Sequence, residues 1–298
     1  MNPFRGVFVS AVTPHQRQGH QVDLGAMLDL VDFLCAGGVE GVAVLGATGE
    51  YPHFTIEDRI RTVQFVAKRS TVPVLAGVSH STLDGAVSLA LEAAGAGVAG
   101  VLAAPPHYYP YGQEEIREFY LRLAEAVSGA VPVLLHNLPV FTNAIHEKTV
   151  DELLATGVFA GLADAGGDAA VLGRMASAHG DLAFLCASDG AIPACAEAGV
   201  EAVLSSVGCA APELVTGPTP GAPAAAPGED GATDGAAARV SGLGRQLPCP
   251  CSDQGSHGGA GPEGRTGGRS SAACGCCAKR GVSRVVRRLA AGSAQGGS

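Results

Sequence analysis

Lysine is nearly absent from this chain. Only three of its 298 residues are lysine, Lys68, Lys148 and Lys279. A side chain that forms an imine with a ketone must be a primary amine able to lose its proton near neutral pH, and lysine alone supplies one. The whole stretch from 149 to 278 therefore lacks that chemistry. Charge is sparse as well, with 16% charged residues against 47% hydrophobic, a balance that suits a soluble globule with a sizeable core. No run of 18 apolar residues occurs, and Met1-Asn2-Pro3-Phe4-Arg5 carries no apolar leader core. The expectation is no membrane association and a cytoplasmic location.

The charge divides unevenly. Residues 1–217 hold 10 Lys and Arg against 23 Asp and Glu, whereas residues 218–298 hold 9 against 5. An acidic body argues against nucleic acid as a partner. The cysteines divide in the same way. Cys35, Cys186, Cys195 and Cys209 are scattered through the body in apolar or small-residue surroundings, where they read as buried thiols. Cys249, Cys251, Cys274, Cys276 and Cys277 cluster near the end, without the paired Cys-x2-Cys spacing of a zinc fold. The basic run from Arg280 to Arg288 reads as a solvated stretch.

Up to about residue 209, short β-branched runs alternate with amphipathic stretches. Eight strands are predicted, at 7–12, 41–45, 74–78, 100–104, 133–136, 159–163, 183–187 and 202–206. Seven helices lie between them, at 23–36, 55–69, 82–95, 113–128, 146–155, 168–178 and 190–198. The strands are continuously apolar, as in a parallel sheet covered on both faces. Thr55 caps a helix whose first turn holds Glu57 and Asp58, and Gly37-Gly38 ends the first helix. Eight such units imply an α/β protein, a closed (β/α)8 TIM barrel over residues 1–217. An open doubly wound sheet would show a glycine-rich fingerprint after the first strand, and none is there. After Pro212 the eighth helix does not continue. Residues 218–298 are rich in Gly, Ala, Pro and Arg and too poor in large apolar side chains to offset ordering entropy, so they read as a disordered tail. The abrupt change of composition also matches a high-GC gene read in a shifted frame. An incomplete outer layer is expected to expose apolar surface on strands one, seven and eight, with low stability and a tendency to aggregate.

In such a barrel, chemistry belongs to the loops after the strands. Gly46-Ala47-Thr48-Gly49-Glu50 follows strand two, and its amides with the Thr48 hydroxyl can hold a small carboxylate. Pro106-His107-Tyr108-Tyr109 follows strand four, His136-Asn137-Leu138-Pro139 strand five, Gly161-Leu162-Ala163-Asp164 lies on strand six, and Ser188-Asp189-Gly190 follows strand seven. Over residues 4–215 these motifs, in this order, resemble the dihydrodipicolinate synthase / N-acetylneuraminate lyase family of class I aldolases and lyases.

The resemblance implies a lysine on strand six that forms an imine with pyruvate or another 2-keto acid. It implies a proton-shuttling tyrosine on strand five, a helping hydroxyl in the strand-two motif and a tyrosine from the strand-four loop. It implies no cofactor and subunits that tend to form tetramers. The chain departs at decisive points: Ala163 stands at the lysine position, His136 at the tyrosine position, Ala47 at the first hydroxyl position, and Phe141 where the synthase branch has an arginine. Gly46, Thr48, Gly49, Glu50, Tyr108, Asn137 and Pro139 match. His136 and Tyr108 remain as candidate catalytic groups. His136 reads either as a replacement proton shuttle or as a side chain filling a vacated pocket, and Tyr108 either points into the pocket or packs on a neighbouring subunit. Gly46, Ala47, Thr48 and Gly49 are the expected substrate-binding residues. Asp164, Asp189, His53, His107 and His136 show no metal-ligand spacing, so no metal is expected. Three functional readings follow: a family member without Schiff-base chemistry that binds a small 2-keto acid; an active lyase using another nucleophile or a metal; and a non-functional product of a frameshifted gene.

Overall fold

The computed structural model describes residues 4–16 and 21–217; the expected tail at 218–298 lies outside the described residues. Eight parallel strands close into a barrel in sequence order, β1 (Gly6–Ser10), β2 (Gly41–Val44), β3 (Val74–Gly77), β4 (Gly100–Ala103), β5 (Val133–Asn137), β6 (Gly161–Asp164), β7 (Ala183–Cys186) and β8 (Ala202–Ser205), with β8 pairing back to β1. The helices between them are α1 (Leu24–Ala36), α2 (Ile56–Arg69), α3 (Leu83–Gly95), α4 (Gln113–Val127), α5 (Glu147–Leu154), α6 (Ala169–Ala178) and α7 (Ile192–Glu197). Capping side chains set several of their starts. Asp23, Thr55, Thr82 and Asp168 each accept a bond from a first-turn amide, the contribution expected of a residue that satisfies an orphan helix donor.

Two apolar layers follow from strand alternation. Phe8, Leu75, Leu102, Leu134, Leu185 and Leu204 point inward and fill the barrel, while Val9, Val42, Val44, Val101 and Val133 face the helices. Small residues make the inner layer possible. Gly41 lies against the Phe8 ring, and a Cβ there would come within 2.1 Å of it. Gly161 opens β6 with φ 149°, and a Cβ would meet the Ala183 carbonyl at 1.9 Å, so only glycine fits that pairing.

The outer layer is short at its end. An eighth helix exists as a single turn, α8 (Glu213–Thr216). It is pinned to α1, where the Thr216 hydroxyl donates to the Gly37 carbonyl at 3.1 Å, and its Val215 packs against Gly208. The expected apolar exposure is correspondingly reduced. β7 is buried throughout, and on β1 and β8 the paired Val7 and Val203 are half-buried. Cys186, Cys195 and Cys209 are buried free thiols and Cys35 is half-buried. Burial pushes the Cys195 thiol up to about 12 and Cys209 to about 11, which leaves both protonated and unreactive near neutral pH.

Candidate active site

The loop after β2 is a strained turn. Leu45 and Glu50, neither of them glycine, adopt left-handed conformations with φ 56° and 55° and bracket the Gly46–Gly49 segment. Such a backbone costs about 1–2 kcal/mol per residue and persists where its surroundings enforce it. Gly49 lies so close to the Leu45 amide and the Ala11 carbonyl that a Cβ would meet them at 3.0 and 3.1 Å. The Glu50 amide donates to Ala47 at 3.1 Å and the Tyr51 amide to Gly46 at 3.4 Å, closing the loop into a 3-10 turn at Tyr51–His53. Among the described residues, the amides of Ala47, Thr48 and Gly49 donate to no protein group. The Thr48 hydroxyl lies 2.8 Å from that of Ser206, which follows β8.

On β5, alternation from Leu134 turns His136 into the barrel, and in the β5–β6 register its partner is Ala163, which belongs to the same inner layer. The two inward positions are thus an imidazole beside a methyl group. His136 is 3% exposed, and desolvation lowers its pKa to about 4, so the ring is neutral at physiological pH. No lysine is near. Lys68 is exposed in the last turn of α2, and Lys148, with 88% of its side chain exposed, lies on α5 3.8 Å from Glu152.

Asn137 and Asp164 face the other way. They line a small cleft between the barrel wall and helices α5 and α6, with Glu147, Leu162 and Met175. Asn137 Nδ2 donates to Asp164 at 2.6 Å and its side-chain oxygen Oδ1 accepts from the Ile145 amide at 3.0 Å. Burial raises the Asp164 pKa against the bonds it accepts from Asn137 and the Gly166 and Gly167 amides. Asn137 therefore braces the loop after β5.

The loop after β4 does not bring Tyr108 to His136. Tyr108 is 85% exposed, with φ 88°, and stacks edge-on against Tyr109 at 4.8 Å. Asn143 ties this loop to the one after β5, donating to the carbonyls of Pro106 and Tyr109 at 2.7 and 2.9 Å. The two loops together present Tyr108, Tyr109, Val140 and Phe141, all exposed. His107 instead turns inward, 3.1 Å from the Ser81 hydroxyl and 3.4 Å from the Tyr51 hydroxyl. The other residues weighed as metal ligands are held apart: His53 against Glu50, Asp164 against Asn137, and Asp189 against Ser205.

Two groups were not legible as site residues. Ser206 has no motif around it. Arg59 sits in Glu57-Asp58-Arg59-Ile60-Arg61, a run that looks solvated, yet it is 2% exposed. It donates to the carbonyls of Gly77 and Ser79 at 2.9 and 3.0 Å, and its guanidinium stands 5.1 Å from the centre of the Tyr51 ring.

The closed eight-stranded barrel is one that known proteins share. The model of the Dihydrodipicolinate synthetase family matches residues 3–217. The chain belongs to that family. Among its relatives, an uncharacterized DapA-like lyase of Halobacterium salinarum is 34% identical over 199 residues, 66% of this chain and 65% of the relative. A 4-hydroxy-tetrahydrodipicolinate synthase of Macrococcus caseolyticus is 29% identical over 213 residues, covering 70% of this chain and 71% of the synthase. The chain thus spans just under two thirds of the length of the haloarchaeal lyase. Of solved family structures, the 2-keto 3-deoxygluconate aldolase of Picrophilus torridus superposes with a TM-score of 0.67 at 25% identity, over 71% of this chain and 77% of that one. YagE, a prophage protein of E. coli K12 solved with pyruvate, gives 0.67 at 25%, over 72% and 73%. Family membership is consistent with the described residues containing no helix long and apolar enough to cross a membrane.

Proposed function

We propose that this protein is a family member without Schiff-base chemistry, which binds a small 2-keto acid such as pyruvate in the barrel mouth and does not turn it over through an imine. One observation carries the reading: the inward position on β6 next to His136 is the methyl group of Ala163, while both described lysines stand on outer helices. Replacement of the amine by another nucleophile finds little support, because Cys186, Cys195 and Cys209 are held as buried, protonated thiols. Among the described residues no group of three or more His, Cys, Asp or Glu side chains converges as a metal site would require. The carboxylate cradle is better supported, by the three unpaired amides of Ala47, Thr48 and Gly49 and by the Thr48 hydroxyl. The pyruvate held by YagE places such a ligand within the family.

The neutral His136 ring fits a side chain that fills the volume beside Ala163. The exposed face of Tyr108, Tyr109, Val140 and Phe141 is where we place a subunit contact of a homo-oligomer in the cytoplasm. Calorimetric titration with pyruvate tests the reading. The wild-type chain binds, and Thr48→Val, which deletes one hydroxyl to a charged acceptor, weakens binding by about 1.5 kcal/mol, roughly tenfold. A wild-type chain that takes up no 2-keto acid leaves the damaged-gene reading in its place.

A further inference from the structure

The hydroxyl that the cradle depends on is itself held. Thr48, after β2, and Ser206, after β8, approach each other across the end of β1, and their oxygens are 2.8 Å apart. Each hydroxyl carries one hydrogen and two acceptor positions. In a bonded pair one hydrogen is used between the two, and one remains to be given elsewhere. Ser206 is the member whose backbone is fixed. Its amide donates to Asp189 at 3.1 Å, the neighbouring Val207 amide donates to the same oxygen at 3.2 Å, and the Ser205 hydroxyl takes the other carboxylate oxygen at 2.5 Å. Ser205 in turn accepts from the Gly208 amide at 3.0 Å. Asp189 thereby clamps the end of β8 and the short turn at Val207–Cys209, and burial raises its pKa despite the three donors. Thr48, by contrast, sits between Ala47 and Gly49, and the amides of these three residues donate to no protein group among the described residues.

We propose that Ser206 is a positioning residue for ligand binding: it donates to Thr48, fixes the threonine rotamer, and leaves the Thr48 hydrogen free for the carboxylate of a 2-keto acid. This rests on the binding reading above. A hydroxyl that accepts one bond while donating another is polarised along the chain, so the gain is in both orientation and donor strength. The specificity consequence is that the cradle selects a monoanionic carboxylate that needs one hydroxyl donor and a row of amides, and it supplies no cationic side chain of its own.

The test combines two readings on Thr48→Val, Ser206→Ala, Ser206→Thr and the Thr48→Val/Ser206→Ala double variant. The first is the NMR signal of the Thr48 methyl group in the ligand-free protein, assigned by its loss in Thr48→Val. The second is the Kd for pyruvate. Ser206→Ala is expected to shift the methyl signal toward rotamer averaging and to weaken pyruvate about fivefold, with the double variant no weaker than Thr48→Val alone. Ser206→Thr, which keeps the hydroxyl, is expected to restore both. An unmoved methyl signal in Ser206→Ala, or losses that simply add in the double variant, overturns the proposal. If the wild-type chain binds no pyruvate, the functional reading fails, and the methyl signal alone decides: movement upholds the Ser206–Thr48 coupling and its absence rejects it.

Discussion

Arg59→Ala is expected to cost this fold about 4 kcal/mol, a large part of what holds a domain together. The guanidinium is buried between α2 and the end of β3, still charged near neutral pH although burial lowers its pKa to about 10. Among the described residues no carboxylate lies within salt-bridge distance of it. Its partners are the Gly77 and Ser79 carbonyls and the face of Tyr51. Removing a lone buried charge returns some desolvation energy. It also strands two buried carbonyls, at about 1–3 kcal/mol each, and leaves a cavity the size of one of the largest buried side chains among the described residues. The second effects outweigh the first. Tyr51 closes the turn after β2, so the loss reaches the candidate site as well. Urea unfolding at pH 7 checks this, and a change below about 1 kcal/mol would mean the two carbonyls find other donors.

The second large effect is a pH dependence carried by His136. Folded, its pKa is about 4; unfolded, it returns to about 6.5. Below pH 6.5 the unfolded chain takes up a proton that the folded chain refuses until about pH 4. The unfolded state therefore binds more protons in this window, and stability is lost as pH falls through it. The full contribution is about 3 kcal/mol between pH 6.5 and 4. His136→Leu removes the titrating group and keeps an apolar filling beside Ala163. Relative to wild type, the variant should gain stability progressively from pH 7 down to pH 4.5. The raised carboxyls of Asp164 and Asp189 act with the opposite sign, but they are common to both proteins and cancel in the difference. Parallel unfolding curves at both pH values would place the His136 ring in water.

The fold was legible because its elements are local. Buried parallel strands are short apolar runs, and Thr55, Thr82 and Asp168 mark helix starts by bonds that span three residues. Strand ends were therefore off by two residues at most. The single-turn α8 was not legible, since Glu213–Thr216 is too short to show a period and is held by a contact to Gly37, 179 positions away. The 3-10 turns at Tyr51–His53, Asp189–Ala191 and Val207–Cys209 escaped for the same reason.

The site divides along the same line. The turn Gly46–Gly49 and the inward pair His136 and Ala163 follow from motif and strand register. Ser206 reaches Thr48 across 158 positions, and Arg59 is buried by the return of β3 against α2; neither contact leaves a local pattern. Tyr108 shows the converse. The family resemblance brings it to the chemistry, whereas the fold leaves it on the surface.

We propose that this barrel makes no imine. Intact-mass spectrometry after incubation with pyruvate and borohydride reads it directly, because reduction turns any imine into a stable adduct on the attacking amine. An unmodified mass is expected for the folded chain, even at high pyruvate concentration. A stoichiometric adduct mapped to Lys68, Lys148 or Lys279 would contradict it and would establish a relocated nucleophile.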